Sequence, residues 1–375
     1  MSARRLPRLV VGAWAFAALV LAGLAVVVAR NLGHRLASGG MGHMQMGTAD
    51  ALTRGTGATP ASALAGARLF TAWQLDAVAI AVLILAAAGY LTGVALVPLR
   101  SPGERWPIGR TVAFLLGLGV CAFATCGSIA VYDQVLFTAH MAGHLLLVMV
   151  APALLAAGRP LGLAVAAAPP ARRERLLRVA RGRVVGLLTA PPVALATYAA
   201  VIVGSHLTGL MDDIMRSTWA GQVEHVVYLA AGYQFFVLIV GDEPIRWRLA
   251  SPARWLLLAV AMAVDTITGI VLMQGTDAVR LMPSALGVDA LSDTRTGGAV
   301  MWLGGDAIMA GIMILLVVRW LRTVDRVPVE RGWLEQARGA TFAAHTGAAD
   351  PGETLDDDDD ARAAYNSWLT QLDRR

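Results

Sequence analysis

The chain has 375 residues, of which 57% are apolar, and a mean hydropathy of +0.60. This apolar content exceeds the roughly 45–50% that is typical of soluble domains, so we expect an integral membrane protein. All 31 basic residues are arginine, and catalytic mechanisms that need a lysine amine, such as Schiff-base chemistry, are therefore excluded.

Apolar segments long enough to cross a membrane run through most of the chain. About eight segments reach the roughly 20 residues that a membrane helix needs, so we predict an all-α fold, a polytopic membrane helix bundle. The first segment lacks a small-residue cleavage site and is interpreted as a retained helix rather than a signal peptide. The predicted spans are 9–29, 72–97, 110–131, 137–157, 184–206, 221–241, 254–275 and 297–320.

The arginines fall mainly in alternate loops between these spans. They cluster before the first span, after the last, and in the loops that follow the second, fourth and sixth. Arginine-rich short loops face the cytoplasm, and the long loop from about 30 to 70 counts less because of its length. Both termini are therefore predicted to be cytoplasmic.

The N-terminal part, residues 1–71, combines the first helix with an extracytoplasmic loop rich in histidine and methionine. The loop contains the sequence NLGHRLASGGMGHMQMGTAD. Imidazole and thioether donors together favour copper over Ca²⁺ or Mg²⁺, which prefer oxygen ligands. A low-complexity linker without metal is the alternative interpretation. The candidate ligands in this loop are His34, Met41, His43, Met44 and Met46.

Histidines of the membrane core, residues 72–322, are predicted to lie at one depth. The sequence HMAGH places His140 and His144 on one face of a helix that enters from the outer side. His206 ends the fifth span and His225 begins the sixth, on the same side. Because ionisable groups are costly in a membrane, these four form a candidate metal site, with hydrogen-bonded packing as the alternative.

Acidic residues and cysteines complete the polar inventory of the core. Glu224 and Asp133 lie at the level of the histidines and are expected to orient the imidazole rings. Asp265 and Asp306 are expected to pair with arginine or hydroxyl groups, or to mark a polar path. Cys121 and Cys126 form no CxxC motif and are interpreted as packing residues, with transient ligation of a soft metal as the alternative.

The C-terminal part, residues 323–375, is polar. It contains the acidic run 356–360 and ends in the helix-like sequence AYNSWLTQLDRR. We expect a cytoplasmic acidic tail that is partly disordered, since charge runs usually form solvated spacers. A docking peptide for a partner is the other interpretation.

Three separated blocks of the core resemble the CtaG-type assembly factors of the caa-type cytochrome c oxidases. The last block differs from the usual family pattern, because Thr294 stands where the family commonly has glutamine. The N-terminal helix with its loop, and the acidic tail, are unmatched. The blocks are YDQVLFTAHMAGHLLLVMVAPALLAAGRPL (132–161), SHLTGLMDDIMRSTWAGQVEHVVYLAAGYQFFVLIVGDEPI (205–245) and LSDTRTGGAVMW (291–302).

The resemblance implies a multi-pass plasma-membrane protein that supplies copper to a copper-containing oxidase. The family's histidines fall on His140, His144, His206 and His225, with Glu224 in the EH pair. We therefore expect an assembly factor rather than an enzyme, with bound copper, oxidase subunits and membrane lipid as partners and no nucleic acid. The alternatives are a haem-binding electron-transfer protein, a copper transporter and a purely structural scaffold.

Overall fold

The computed structural model describes residues 64–133, 135–208, 218–278, 286–324 and 359–372, together with a few isolated positions. Every regular element within these residues is a helix, which confirms the all-α prediction. The chain divides into two compact units, Met1–Leu316 and Val317–Arg375. The loop ligands predicted between His34 and Met46 lie outside the described residues.

The first part of the described chain consists of two long helices, a histidine-bearing helix with a π-helical turn, and shorter helices after it. The elements are α1 (Arg68–Thr71), α2 (Ala77–Arg100), α3 (Ile108–Cys126), α4 (Ser128–Tyr132), α5 (Phe137–Leu145), π1 (Leu146–Val150), α6 (Ala151–Ala157), α7 (Pro160–Ala167), α8 (Pro170–Ala180) and α9 (Arg183–Leu188).

The second part contains the remaining long helices and a second π-helical turn. The elements are α10 (Pro191–His206), α11 (Thr218–Ile239), α12 (Ser251–Gln274), α13 (Ala290–Ala299), π2 (Val300–Gly304), α14 (Gly305–Val324) and α15 (Asp359–Leu372). The last of these lies in the second unit and covers residues 364–372 of the helix-like end predicted from the sequence, whose residues 373–375 lie outside the described part.

Within the described residues, five helical spans are long and apolar enough to cross a membrane. They are compatible with the predicted multi-pass architecture. The predicted span 9–29 lies almost entirely outside the described residues, and 184–206 is divided between α9 and α10. The count of eight and the cytoplasmic termini stay predictions. The five spans are Ala77–Arg100, Ile108–Tyr132, Phe137–Ala167, Ser251–Gln274 and Ala290–Arg322.

The span Phe137–Ala167 is the most buried of the five and forms the centre of the bundle. Its first part, α5, packs against α13, and its later part, α6, packs against α3 and α11. Large side chains from these helices, including Phe137, Met149 and Phe235, are almost completely buried in one continuous core. The histidine pair therefore sits on the helix that has the most neighbours to position it.

A glycine permits the close contact between α11 and the histidine-bearing helix. A Cβ on Gly232 would overlap the carbonyl oxygen of Val148 and lie 2.6 Å from Cγ of Pro152. Pro152 has no N–H to donate to the Val148 carbonyl four residues earlier, so the helix leaves that oxygen without its usual partner. Only a residue without a side chain can approach it this closely.

The two cysteines of α3 behave as the sequence predicts. Cys121 and Cys126 are both buried and form no disulfide with each other. Cys121 belongs to the main hydrophobic core. Their role in the described structure is packing.

Candidate metal centre

Asp293 fixes the start of the helix that carries the histidine pair. Its Oδ2 accepts a hydrogen bond of 2.6 Å from the backbone N–H of Phe137, and its Oδ1 accepts from the N–H and the hydroxyl of Thr138 at 3.2 and 2.7 Å. These groups are helix-terminal donors with no partner inside the helix. A carboxylate here also complements the positive end of the helix dipole, so the turn that presents His140 is well defined.

His140 and His144 project from one face of the helix, as their spacing predicts. Their ring centroids lie 4.1 Å apart, and the two residues are 1% and 4% exposed. Glu224 of α11 faces both rings and is 5% exposed. One of its oxygens lies 3.2 Å from Nε2 of His144 and the other 3.9 Å from Nε2 of His140.

The three side chains point donor atoms at one another across a small buried space. One ring nitrogen of His140, one of His144 and one carboxylate oxygen of Glu224 lie within 4.8 Å of each other. Within the described residues, Nε2 of His140, Nε2 of His144 and Oε1 of Glu224 are buried and have no hydrogen-bond partner. Buried polar atoms normally have a partner, which either a proton or a cation between these atoms would supply.

Asp133 determines which nitrogen of His140 carries a proton. Nδ1 of His140 lies 2.6 Å from Oδ1 of Asp133, and because a carboxylate accepts, Nδ1 donates. The neutral ring then presents an unprotonated Nε2 toward Glu224. Burial alone raises the pKa of the Asp133 carboxyl, but the adjacent His140 ring outweighs burial and holds that pKa below its ordinary value.

A second chain of hydrogen bonds determines which nitrogen of His144 carries a proton. Nδ1 of His206 lies 2.7 Å from the carbonyl oxygen of Ile202 and must donate to it, because a carbonyl can only accept. The neutral His206 ring then offers Nε2 as an acceptor to Nδ1 of His144, which lies 3.0 Å away. His144 is left with an unprotonated Nε2, which also faces Glu224.

The structure gives Glu224 and His206 positions that differ from their predicted roles. Glu224, expected to orient the rings, is one of the three converging residues, and His206, expected as a ligand, lies behind His144. His225 is partly buried, and within the described residues its Nδ1 has no hydrogen-bond partner. It follows Glu224 directly, so the helix turns it by about 100° away from the direction of Glu224.

Residues that the sequence did not single out complete the surroundings. Tyr228 stacks on His144 with centroids 4.0 Å apart, and its hydroxyl makes a very short contact with Ser205. The signal for Tyr228 was its position one helical turn after Glu224. Asp293 was visible only as part of a family block, because nothing local indicates that it caps a helix more than 150 residues earlier.

The acidic residues of the apolar zone find hydroxyl partners, one of the predicted outcomes. Oδ2 of Asp265 accepts from the hydroxyl of Tyr198 at 2.8 Å, and Oδ1 of Asp306 accepts from Thr266 at 2.8 Å. Asp265 is completely buried, and within the described residues its other oxygen has no hydrogen-bond partner.

Comparison with known proteins points to one family. Residues 88–323, more than half of the chain, match the family model described as cytochrome c oxidase caa3 assembly factor, and the converging side chains lie within that range. No solved structure matches the chain significantly.

Curated relatives come from mycobacteria. An uncharacterized protein of Mycobacterium leprae is 30% identical over 325 residues, which is 82% of this chain and 45% of the relative. Uncharacterized proteins of Mycobacterium bovis and Mycobacterium tuberculosis are each 29% identical over 320 residues, with the same coverage of both chains. The chain thus spans less than half the length of the curated relatives it matches.

Proposed function

This chain belongs to the cytochrome c oxidase caa3 assembly factor family, and from that premise we propose that it holds copper for oxidase assembly. In this proposal it is a multi-pass protein of the bacterial plasma membrane and not an enzyme with turnover. Copper is its cargo, bound by His140, His144 and Glu224 and passed to an oxidase subunit in the same membrane.

The observation that carries the proposal is the convergence of three acceptor atoms without a donor. The hydrogen bonds to Asp133 and His206 leave both Nε2 atoms unprotonated in the neutral rings. One of these lone pairs lies 3.2 Å from a Glu224 oxygen, and the two repel each other whenever the Glu224 carboxyl is ionised. A cation between them turns this repulsion into coordination.

The spacing of the donor atoms fits a metal ion with small adjustments. Ligands around a tetrahedral ion with bonds of about 2.0–2.1 Å lie about 3.3 Å from one another. Nε2 of His144 lies 3.2 Å from one Glu224 oxygen, and Nε2 of His140 lies 3.9 Å from the other. One ligand atom from each residue lies within 4.8 Å of the others, so the three side chains must move closer together around an ion. Two imidazoles and a carboxylate also suit zinc by donor type, and the family's link to a copper-containing oxidase is what favours copper.

A site with three protein ligands is suited to releasing its cargo. Three ligands leave one coordination position open, whereas a closed four-ligand cage holds metal as a structural element. An incoming side chain of the oxidase can occupy the open position and take the ion by ligand exchange. The loop with His34, Met41, His43, Met44 and Met46 is proposed to capture copper before this site does.

Copper retention by purified protein tests the proposal. After loading with Cu(I) under reducing conditions and removal of free metal, the wild-type chain should retain about one copper ion, as expected for one three-donor site. The double variant His140→Ala/His144→Ala should lose this ion, and any copper that it still holds is bound by the donors of the loop. His345→Ala removes a histidine from the C-terminal part and is the matched control. Copper retention by the double variant at the wild-type level rejects the proposal.

The same preparation separates the alternative functions. A Soret band in the absorption spectrum would indicate the haem-binding alternative, because axial histidine ligation of haem gives that band and copper does not. Copper uptake into proteoliposomes would indicate a transporter. The protein can also be grown in medium that contains both metals and its bound metal determined by elemental analysis. Zinc instead of copper in that analysis would show that zinc is the cargo.

A further inference from the structure

A second polar cavity lies at the far end of the same helices. Its volume is about 370 Å³, and it is lined by residues that follow the ends of α6 and α11, among them Arg159 and Asp242. His140 and Glu224 are near the beginnings of these helical segments, and roughly 20 residues of helix span about 30 Å. The cavity is therefore separate from the candidate metal centre.

Arginines of three different segments line this cavity: Arg159, Arg248 and Arg254. Arg254 is held in place by backbone carbonyls, because its Nε donates to Leu249 at 3.0 Å and its Nη1 donates to Ile239 at 3.2 Å. Arginine is always protonated and presents its donors in a rigid fork. The cavity thus has a fixed cationic wall.

Arg159 has two features that indicate a missing partner. Its backbone has a φ of 52°, and it is the one residue other than glycine with positive φ among those the structure describes. Its Nε is buried and, within the same residues, has no hydrogen-bond acceptor. Unfavourable backbone conformations concentrate at binding sites, and a buried guanidinium N–H without an acceptor is costly.

Glu243, a carboxylate that lines the cavity with Arg159, already accepts hydrogen bonds. Both oxygens of Glu243 accept backbone hydrogen bonds, from Leu161 at 3.0 Å and from Gly162 at 2.6 Å, at the beginning of α7. Asp242 also lines the cavity, with its Oδ1 3.8 Å from Nη2 of Arg254. Three arginines against two carboxylates leave the cavity with a positive balance.

We infer that the cavity lined by Arg159, Arg248 and Arg254 binds a phosphate group. Guanidinium forks match the oxygens of phosphate in geometry and charge. A cavity of this size accommodates a phosphate with its glycerol substituent as well as a free ion. Basic pockets between membrane helices are typical sites for anionic lipid headgroups, so the phosphate comes from such a lipid or from solution.

Thermal unfolding of the full chain with two phosphate sources tests the inference. One series uses inorganic phosphate in detergent, and the other uses nanodiscs of phosphatidylglycerol or phosphatidylcholine. The variants Arg248→Gln and Arg159→Gln each remove one arginine from the cavity. Each should weaken the apparent affinity for the stabilising phosphate about fivefold, which corresponds to about 1 kcal/mol per arginine. Arg248 is exposed, so its variant should fold normally even if the Arg159 variant does not.

Arg175→Gln is the matched control, since it removes an exposed arginine of α8 that does not line the cavity. Stabilisation of the wild type and control by inorganic phosphate, with a weakened response in the cavity variants, supports a free anion. The same pattern with phosphatidylglycerol alone supports a lipid headgroup. The inference is overturned if neither source stabilises the wild type, or if the cavity variants respond as Arg175→Gln does.

Discussion

A relay of hydrogen bonds sets the protonation of the two ring nitrogens that face Glu224. The Ile202 carbonyl fixes the tautomer of His206, and His206 in turn fixes that of His144. Asp133 does this for His140 directly. Such outer partners tune metal affinity because they decide whether a lone pair is available to the ion. In the proposed metal site, His206 would therefore act through His144 rather than as a ligand.

Glu224→Gln should have opposite effects on the metal-free and the copper-loaded protein. The glutamine amide can donate to the unprotonated Nε2 of His144, so we expect the metal-free variant to gain about 1 kcal/mol, the usual net value of a hydrogen bond. Copper affinity should fall by more than the 10–100-fold that loss of an outer partner costs, because a charged ligand is removed. Thermal unfolding and copper titration measure the two effects.

His225→Ala is the neighbouring control for this prediction. It removes an imidazole next to Glu224 that is not among the three converging residues, so copper affinity should stay within a fewfold of the wild type. A Glu224→Gln chain with unchanged copper affinity, together with loss of affinity in His225→Ala, would show that the ion is bound on the other face of α11.

The sequence could identify the histidine pair but not every member of the site. A spacing of four residues places His140 and His144 on one helical face whatever surrounds them. Glu224 and His225 are adjacent, and the sequence contains nothing that fixes which of them faces α5, because the rotation of α11 depends on packing. His206 lies behind His144 because its ring is held by the backbone carbonyl of Ile202, and no residue pattern in the sequence indicates that hydrogen bond.

At the level of helices, the contact between α11 and π1 fixes the position of Glu224 along the helix axis relative to His144. Gly232 lies two turns after Glu224 and touches the helix that carries His144 about one turn beyond it. A Cβ at Gly232 would overlap the Val148 oxygen, so glycine lets the backbone of α11 pack closely against the helix at this point. We therefore expect packing at Gly232 to affect the alignment of Glu224 with the two histidines of the candidate metal centre.

Gly232→Ala should destabilise the protein. The added methyl group would overlap the Val148 oxygen and lie 2.6 Å from Pro152, and overpacking of this kind costs about 1–3 kcal/mol. Thermal unfolding in detergent measures the loss, and copper titration should show weaker binding because α11 must move outward. Gly232→Ala with the stability of the wild type would mean that the two helices are not in close contact.

Gly221→Ala supplies the control on the same helix. A Cβ at Gly221 would meet nothing within 4 Å. Replacing a helical glycine by alanine then stabilises by roughly 0.5–1 kcal/mol. Destabilisation by Gly232→Ala and stabilisation by Gly221→Ala would together show that the effect at Gly232 comes from a specific contact and not from general helix propensity.

Sequence patterns located most helices well and their irregularities poorly. The span predicted at 137–157 corresponds to α5, π1 and α6, since its continuous apolar character leaves no other interpretation. The break in the span predicted at 184–206 occurs just before Pro191 and Pro192, and a residue before proline is disfavoured in a helix. The two prolines therefore indicate the break, but the apolar character of the whole segment favours a single span. The π-helical turns have no comparable signal, because they depend on neighbouring side chains.

The orientation of the whole molecule follows from its arginines and can be tested with cysteine labelling. Ala67 precedes α2 on the predicted outer side, and Ala171 lies in the arginine-rich α8 on the predicted cytoplasmic side; both are exposed. A membrane-impermeant maleimide should label Ala67→Cys in intact cells and Ala171→Cys only after permeabilisation. The buried Cys121 and Cys126 keep the background low. Labelling of Ala171→Cys in intact cells would reverse the orientation.

Copper should stabilise the whole bundle, because the three candidate ligands join helices that are distant in sequence. An ion bound between α5 and α11 favours the folded state alone, and at a concentration 100 times its dissociation constant it adds about 2.7 kcal/mol. We expect a rise of several degrees in the thermal unfolding midpoint with Cu(I), reversed by a Cu(I) chelator. His144→Ala should abolish the rise, since the remaining two donors cannot hold the ion across the helices. His225→Ala should retain it, and the reverse result in these two variants would refute the proposed ligand set.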